Sequence, residues 1–109
     1  MVKDSVFESL KTELSEIEGE MFNETLLKTK VDSAYNEVKM VRSYPNSYSE
    51  LAIEEDMERY YSPIRGIALY DYNQTGAEGQ TSYSADGTSI HYVERDKLFK
   101  GVIPLGGVL

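Results

Sequence analysis

NETLLKTKVDSAYNEVKMVRSYP, residues Asn23–Pro45, is the stretch that decides the fold. Leu27, Val31, Ala34, Val38 and Val41 recur at steps of four and three, the spacing that puts side chains on one face of an α-helix. Asn23 precedes the run and can cap it, its side-chain oxygen accepting a hydrogen bond from a free N–H of the first turn. The run ends at Tyr44-Pro45, because proline disfavours helical geometry in the residue before it. Leu26, Tyr35 and Met40 widen the apolar stripe, which implies burial against more than one neighbour. A helix over 23–43 is expected.

Outward toward the N-terminus, Ser5 and Glu8 have the spacing of a capping box. Phe7, Leu10, Leu14, Ile17 and Met21 then form a second stripe, weakened at its far end by Gly19, so a helix is expected over 4–18. Toward the C-terminus, Ser47 and Glu50 form a further capping box, with Ser49 as a competing cap. Ile53, Met57, Tyr60, Ile64 and Ile67 continue as a third stripe, broadened by Tyr61, Ala68 and Tyr72. Glu50, Glu54, Glu55 and Asp56 suit the positive end of that helix's dipole. Pro63 falls inside the pattern, where it removes a hydrogen bond and pushes on the preceding turn at a cost of about 3 kcal/mol. The apolar phase continues without a slip, so the expectation is one long helix over 48–75, kinked near Tyr61–Ser62 and ended by Gly76.

After Gly79 the chain turns to small polar residues. Asp86-Gly87 is a turn signal and Ile90-His91-Tyr92-Val93 favours a strand, which predicts a β-hairpin over 80–95. Such a hairpin needs a partner to hold it. The last segment, 97–109, is too apolar for a free tail and too rich in glycine for a good helix. The fold class read from these elements is mainly α, a small three-helix bundle with a β-hairpin extension and an extended C-terminal arm.

With 109 residues the chain has the length of one domain. Eleven Lys and Arg stand against 19 Asp and Glu, a net charge of −8 that does not draw the free protein to nucleic acid. The acids are uneven: six lie in residues 1–20 and five in Glu50–Glu58, whereas Asn23–Ser43 has a slight basic excess. That pattern suits contact between unlike surfaces of neighbouring subunits. Cysteine is absent, which excludes disulfides, thiolate metal sites and thiol catalysis. The first residues alternate charged and apolar side chains without the continuous apolar run of a signal peptide or membrane span.

Catalytic constellations are missing. His91 is the only histidine and has no second His or Cys with which to build a metal site. Carboxylate pairs such as Glu54 and Glu58 are unavoidable at this acid content, and an acid-base pair also needs a pocket that separates the two pKa values. Gly76 and Gly79 follow a helix, whereas phosphate-binding loops place glycines before one. Tyr35, Tyr60, Tyr61 and Tyr72 fit core or subunit-contact positions. No enzyme activity, cofactor or metal is expected.

Three stretches carry a resemblance: RSYPNSYSE (Arg42–Glu50), ALYDYNQTGAEGQTSYSADG (Ala68–Gly87) and KGVIP (Lys100–Pro104). In this order they resemble the small head-tail connector, or adaptor, proteins of long-tailed bacteriophages, within a span from Arg42 to Pro104 that is a little more than half the chain. The most specific part is NQ-x-GAEGQ at a helix end followed by a serine-rich hairpin, and the resemblance implies a loop or hairpin after the long helix. The resemblance implies a mainly helical subunit of a ring, usually dodecameric, below the portal vertex. It also implies a virion location after assembly in the host cytoplasm, no membrane, and DNA passing the channel without sequence-specific binding. Partners would be other copies of the chain, the portal protein and a head-completion (stopper) or tail-completion protein. Glu78, Gln80, Tyr83, Asp86 and Tyr92 become candidates for the subunit interface. Leu98, Phe99, Val102, Ile103 and Leu105 become candidates for docking on the portal. The alternative is a small acidic protein that inhibits a basic nucleic-acid-binding partner.

Overall fold

In the computed structural model, residues 1–77 and 95–105 are described. Helix α1 spans Val2–Glu18, α2 Glu24–Arg42, α3 Glu50–Met57 and α4 Tyr61–Ala77. Short 3-10 turns at Gly19–Met21 and Glu58–Tyr60 follow α1 and α3. Arg95 opens a further helical turn at the start of the C-terminal arm.

Helices α1, α2 and α4 pack on one another around a single core. Val2, Val6, Leu10 and Leu14 of α1 meet Leu27, Val31, Ala34 and Val38 of α2, and Ile64, Ile67, Ala68 and Tyr72 of α4 complete the cluster. The α2 face is the one its spacing predicted. Asn23 caps α2 by accepting a hydrogen bond from Leu26 N–H at 2.9 Å. Gly19 ends α1 with a φ of 56°, a conformation glycine adopts at no steric cost.

Helix α1 starts earlier than expected. It begins at Val2, so Ser5 lies inside the helix and the Ser5/Glu8 capping box does not form. Val2 and Val6 extend the Leu10–Leu14 face at steps of four, and their burial favours the longer helix. The expected stripe fails at its other end, where Ile17 and Met21 are 74% and 83% exposed. Met40 of α2, expected to widen its stripe, is likewise exposed.

The long third helix is two helices joined by a 3-10 turn. Ser49 outcompetes Ser47 as the cap of α3, accepting from Ala52 N–H. The interruption at Glu58–Tyr60 places Pro63 in the first turn of α4, where a missing N–H removes no intrahelical bond. The apolar phase still carries across, so Met57, Tyr60, Ile64 and Ile67 are all buried. Helix α4 remains helical through Ala77, one residue past Gly76.

The β-hairpin extension requires correction. The described residues contain helices and turns and no strand, and Arg95, assigned to the end of the hairpin, instead begins a helical turn. Its side chain is tied to carboxylates of α2 and α4, which favours a compact turn against the bundle over an extended strand. Residues 80–94 of the expected hairpin lie outside the described residues. The fold of the described residues is therefore all-helical with an irregular C-terminal arm.

Candidate interaction surfaces

The arm packs on its own bundle. Val102 is buried in the core, and Leu98 and Phe99 pack against it. Leu98 lies over Gly66 of α4, where an added Cβ would meet Leu98 Cδ2 at 3.5 Å, an ordinary contact distance. Of the portal-docking candidates, Leu98, Phe99 and Val102 are thus engaged within the chain, and Leu105 is partly covered. Ile103 is 60% exposed.

One clasp holds the far end of the arm. Arg42, the last residue of α2, is buried although charged. It continues the stripe of Leu27, Val31, Ala34 and Val38, so its guanidinium points between α2, α3 and the arm. Its Nε donates to Asp56 Oδ2 at 2.9 Å, its Nη2 lies 2.7 Å from the same oxygen, and its Nη1 donates to the Ile103 carbonyl at 2.8 Å. Leu105 N–H returns a hydrogen bond to the Arg42 carbonyl at 2.6 Å. The rings of Tyr60 and Tyr44 lie 5.1 and 5.6 Å from the guanidinium carbon, within cation-π range.

The Tyr44 hydroxyl also donates to Asp56. Burial, with the Asp56 carboxylate beside it, pushes the Tyr44 phenol up to about 12. For Asp56, burial alone would raise the pKa, but the hydrogen bonds from Tyr44 and Arg42 and the charges of Arg42 and Arg59 outweigh it, holding the carboxyl below its ordinary range.

A second clasp holds the start of the arm. Arg95 forms a fork on Asp71 of α4, Nε to Oδ1 at 2.8 Å and Nη2 to Oδ2 at 2.9 Å, and reaches Glu37 of α2 at 2.7 Å. This bidentate geometry is the strong form of an arginine-carboxylate contact. The hydrogen bonds to Asp71, set against partial burial, raise the Arg95 pKa, so the residue stays charged.

At the opposite end of α2, Tyr72 of α4 joins α1 to α2. Its hydroxyl accepts from Asn23 N–H at 3.0 Å and donates to Glu18 Oε1 at 2.6 Å. Beside it, the end of α1 exposes Ile17 and Met21.

Among the described residues, grooves open on the surface beside α2. One of about 230 Å³ is lined by residues that include Lys3, Tyr35, Lys39, Glu50 and Glu54. A broader one of about 840 Å³ runs between α1 and α2 and is bridged by Lys3–Asp32 at 3.3 Å and Lys11–Glu24 at 2.8 Å. Glu54 and Glu58, the carboxylates paired in the sequence, both act on Tyr35, whose pKa is raised first by burial and then by their charge. Among the described residues no three His, Cys, Asp or Glu side chains are grouped to hold a metal ion. No helix among them is long and apolar enough to cross a membrane.

Glu78, Gln80, Tyr83, Asp86 and Tyr92, the subunit-interface candidates, and His91 lie outside the described residues. The two clasping arginines were not singled out by sequence reasoning. Arg42 had a usable signal, since it falls four residues after Val38 on the apolar face. Arg95 had none.

Compared with protein-family models, curated proteins and solved structures, the chain gives no match.

Proposed function

We propose that this chain is a structural subunit of a long-tailed phage virion. It is a head-tail connector that assembles as a ring below the portal, extends the DNA channel and joins the filled head to the next completion protein or the tail. Its work is positional, and it uses no cofactor.

The observation that supports this reading most is the meeting of two of the stretches that carry the resemblance, with the third holding the start of the arm. Arg42 of RSYPNSYSE reaches Ile103 of KGVIP, 61 residues away in the chain, with Tyr44 on the same Asp56 carboxylate, and Asp71 of ALYDYNQTGAEGQTSYSADG holds Arg95 at the start of the same arm. Described residues of all three stretches thus help to fasten the arm. A clasped arm with Ile103 left exposed offers a preformed contact, which lowers the ordering cost of assembly. The net charge of −8 suits a channel through which DNA slides without adhering.

Quantitative proteomics of purified virions tests this reading. The chain is expected in mature particles at a copy number similar to that of the portal protein. Its absence from particles, with abundance only in infected-cell extract, would overturn the proposal.

A further inference from the structure

We infer that the end of α1 is a docking surface for the C-terminal arm of a second copy of this chain. The inference rests on the reading of the chain as an assembling subunit and names the surfaces that meet. Ile17, in the last turn of α1, and Met21, in the 3-10 turn after it, are 74% and 83% exposed. They are rimmed by Glu16 and Glu20, both exposed. From Thr12 to Asn23 the sequence has four acids and no base.

The acids sit where the fold does not favour them. The C-terminal end of a helix carries partial negative charge and is stabilised by bases, yet the last turn of α1 has none. Glu13 is matched by Arg65 and Glu18 by the Tyr72 hydroxyl, whereas Glu16 and Glu20 have no partner among the described residues. A local conflict of this kind is relieved by a cationic partner.

The arm presents the complement. Arg95–Leu105 has three bases and one acid. Arg95 is consumed by its clasp, but Lys97 and Lys100 are exposed without partners among the described residues, close in sequence to the exposed Ile103. Ile103 and the end of α1 lie far apart within one chain. The end of α1 lies beside Asn23, at the start of α2, and Ile103 is held by Arg42, at its end. The 19 residues of α2 separate them by about 28 Å. A contact between unlike surfaces at opposite ends is heterologous and propagates head to tail, closing into a ring where the rotation permits.

The cysteine-free chain makes the test direct. Ile17→Cys and Ile103→Cys chains, full length, are mixed under oxidising conditions, and the cross-linked species are identified by mass spectrometry. Disulfides between position 17 of one chain and position 103 of another should dominate over like-with-like pairs. In parallel, Glu16→Lys/Glu20→Lys should weaken association about tenfold or more at low salt, and a Lys97→Glu/Lys100→Glu chain mixed with it should restore association. Like-with-like cross-links, or assembly indifferent to both charge reversals, would overturn this inference and leave the subunit reading standing. A chain that stays monomeric with and without portal rings would overturn both.

Discussion

Arg42 and Asp56 are joined through one carboxylate oxygen, Oδ2, which takes both Nε at 2.9 Å and Nη2 at 2.7 Å while the third guanidinium nitrogen holds the Ile103 carbonyl. The pair thus fastens three segments that are distant in sequence: the end of α2, the end of α3 and the arm.

Breaking it from one side should be costly. Arg42→Met leaves Asp56 with only the exposed Arg59, at 3.5 Å, and the Tyr44 hydroxyl, and leaves the Ile103 carbonyl without its donor, a loss of about 3 kcal/mol in urea denaturation, the low end for breaking a buried pair from one side. Arg42→Met/Asp56→Leu should recover part of it, because an apolar pair has no charge to desolvate while the Ile103 carbonyl still lacks its donor. Equal loss in single and double variants would mean that the arm, and not the ion pair, dominates the energetics.

The same cluster sets limits at both ends of the pH scale. Asp56 has a depressed pKa, so its contribution is whole above the ordinary carboxylate range and is lost as pH falls from there through its lowered folded value. Tyr44 has a raised pKa, so the folded state holds the proton longer than the unfolded chain, and stability falls as pH rises from about 10 toward about 12. Thermal melts against pH should show the alkaline fall reduced in Tyr44→Phe. An alkaline limb identical in the two proteins would contradict the assignment.

Gly66 permits two opposite substitutions. An added Cβ meets Leu98 at ordinary contact distance, so Gly66→Ala should stabilise α4 by about 0.5–1 kcal/mol through helix propensity. Gly66→Leu should displace Leu98 and free the arm. Hydrogen exchange reads this at the Leu105 amide, protected by Arg42 in the parent chain. Unchanged protection in Gly66→Leu would show that the arm is held by its clasps alone.

Tyr72→Phe removes the hydroxyl that receives Asn23 N–H and contacts Glu18. Chemical denaturation should show a loss of about 1 kcal/mol, the usual net value of such a bond. No loss would mean that water replaces the hydroxyl fully.

The legible parts of the fold were those in which local chemistry and burial agree. Asn23, Gly19 and the Leu27–Val38 face were readable because cap, terminator and stripe each act within one turn or one helix. The start of α1 was misread because Ser5 and Glu8 satisfy a local rule that loses to the burial of Val2 and Val6, which depends on helices not yet placed. Pro63 was readable as an obstacle. Whether the chain bends or rewinds there depends on the Glu58–Tyr60 turn, whose energy lies in tertiary packing. The arm was recognisable as too apolar to be free, but not as a strap on its own bundle. That outcome depends on Arg42 and Arg95 reaching Asp56, Asp71 and Glu37 across long sequence separations. The hairpin expectation assigned Arg95 to a strand for the same reason, since nothing near it in sequence announces its carboxylate partners.

Native mass spectrometry of the full-length chain, alone and with portal rings, tests the connector reading most directly. The account predicts a closed ring of many copies, with twelve the number implied by the resemblance, formed alone at high concentration or on the portal at low concentration. A monomer at every concentration, unchanged by portal rings, would contradict it.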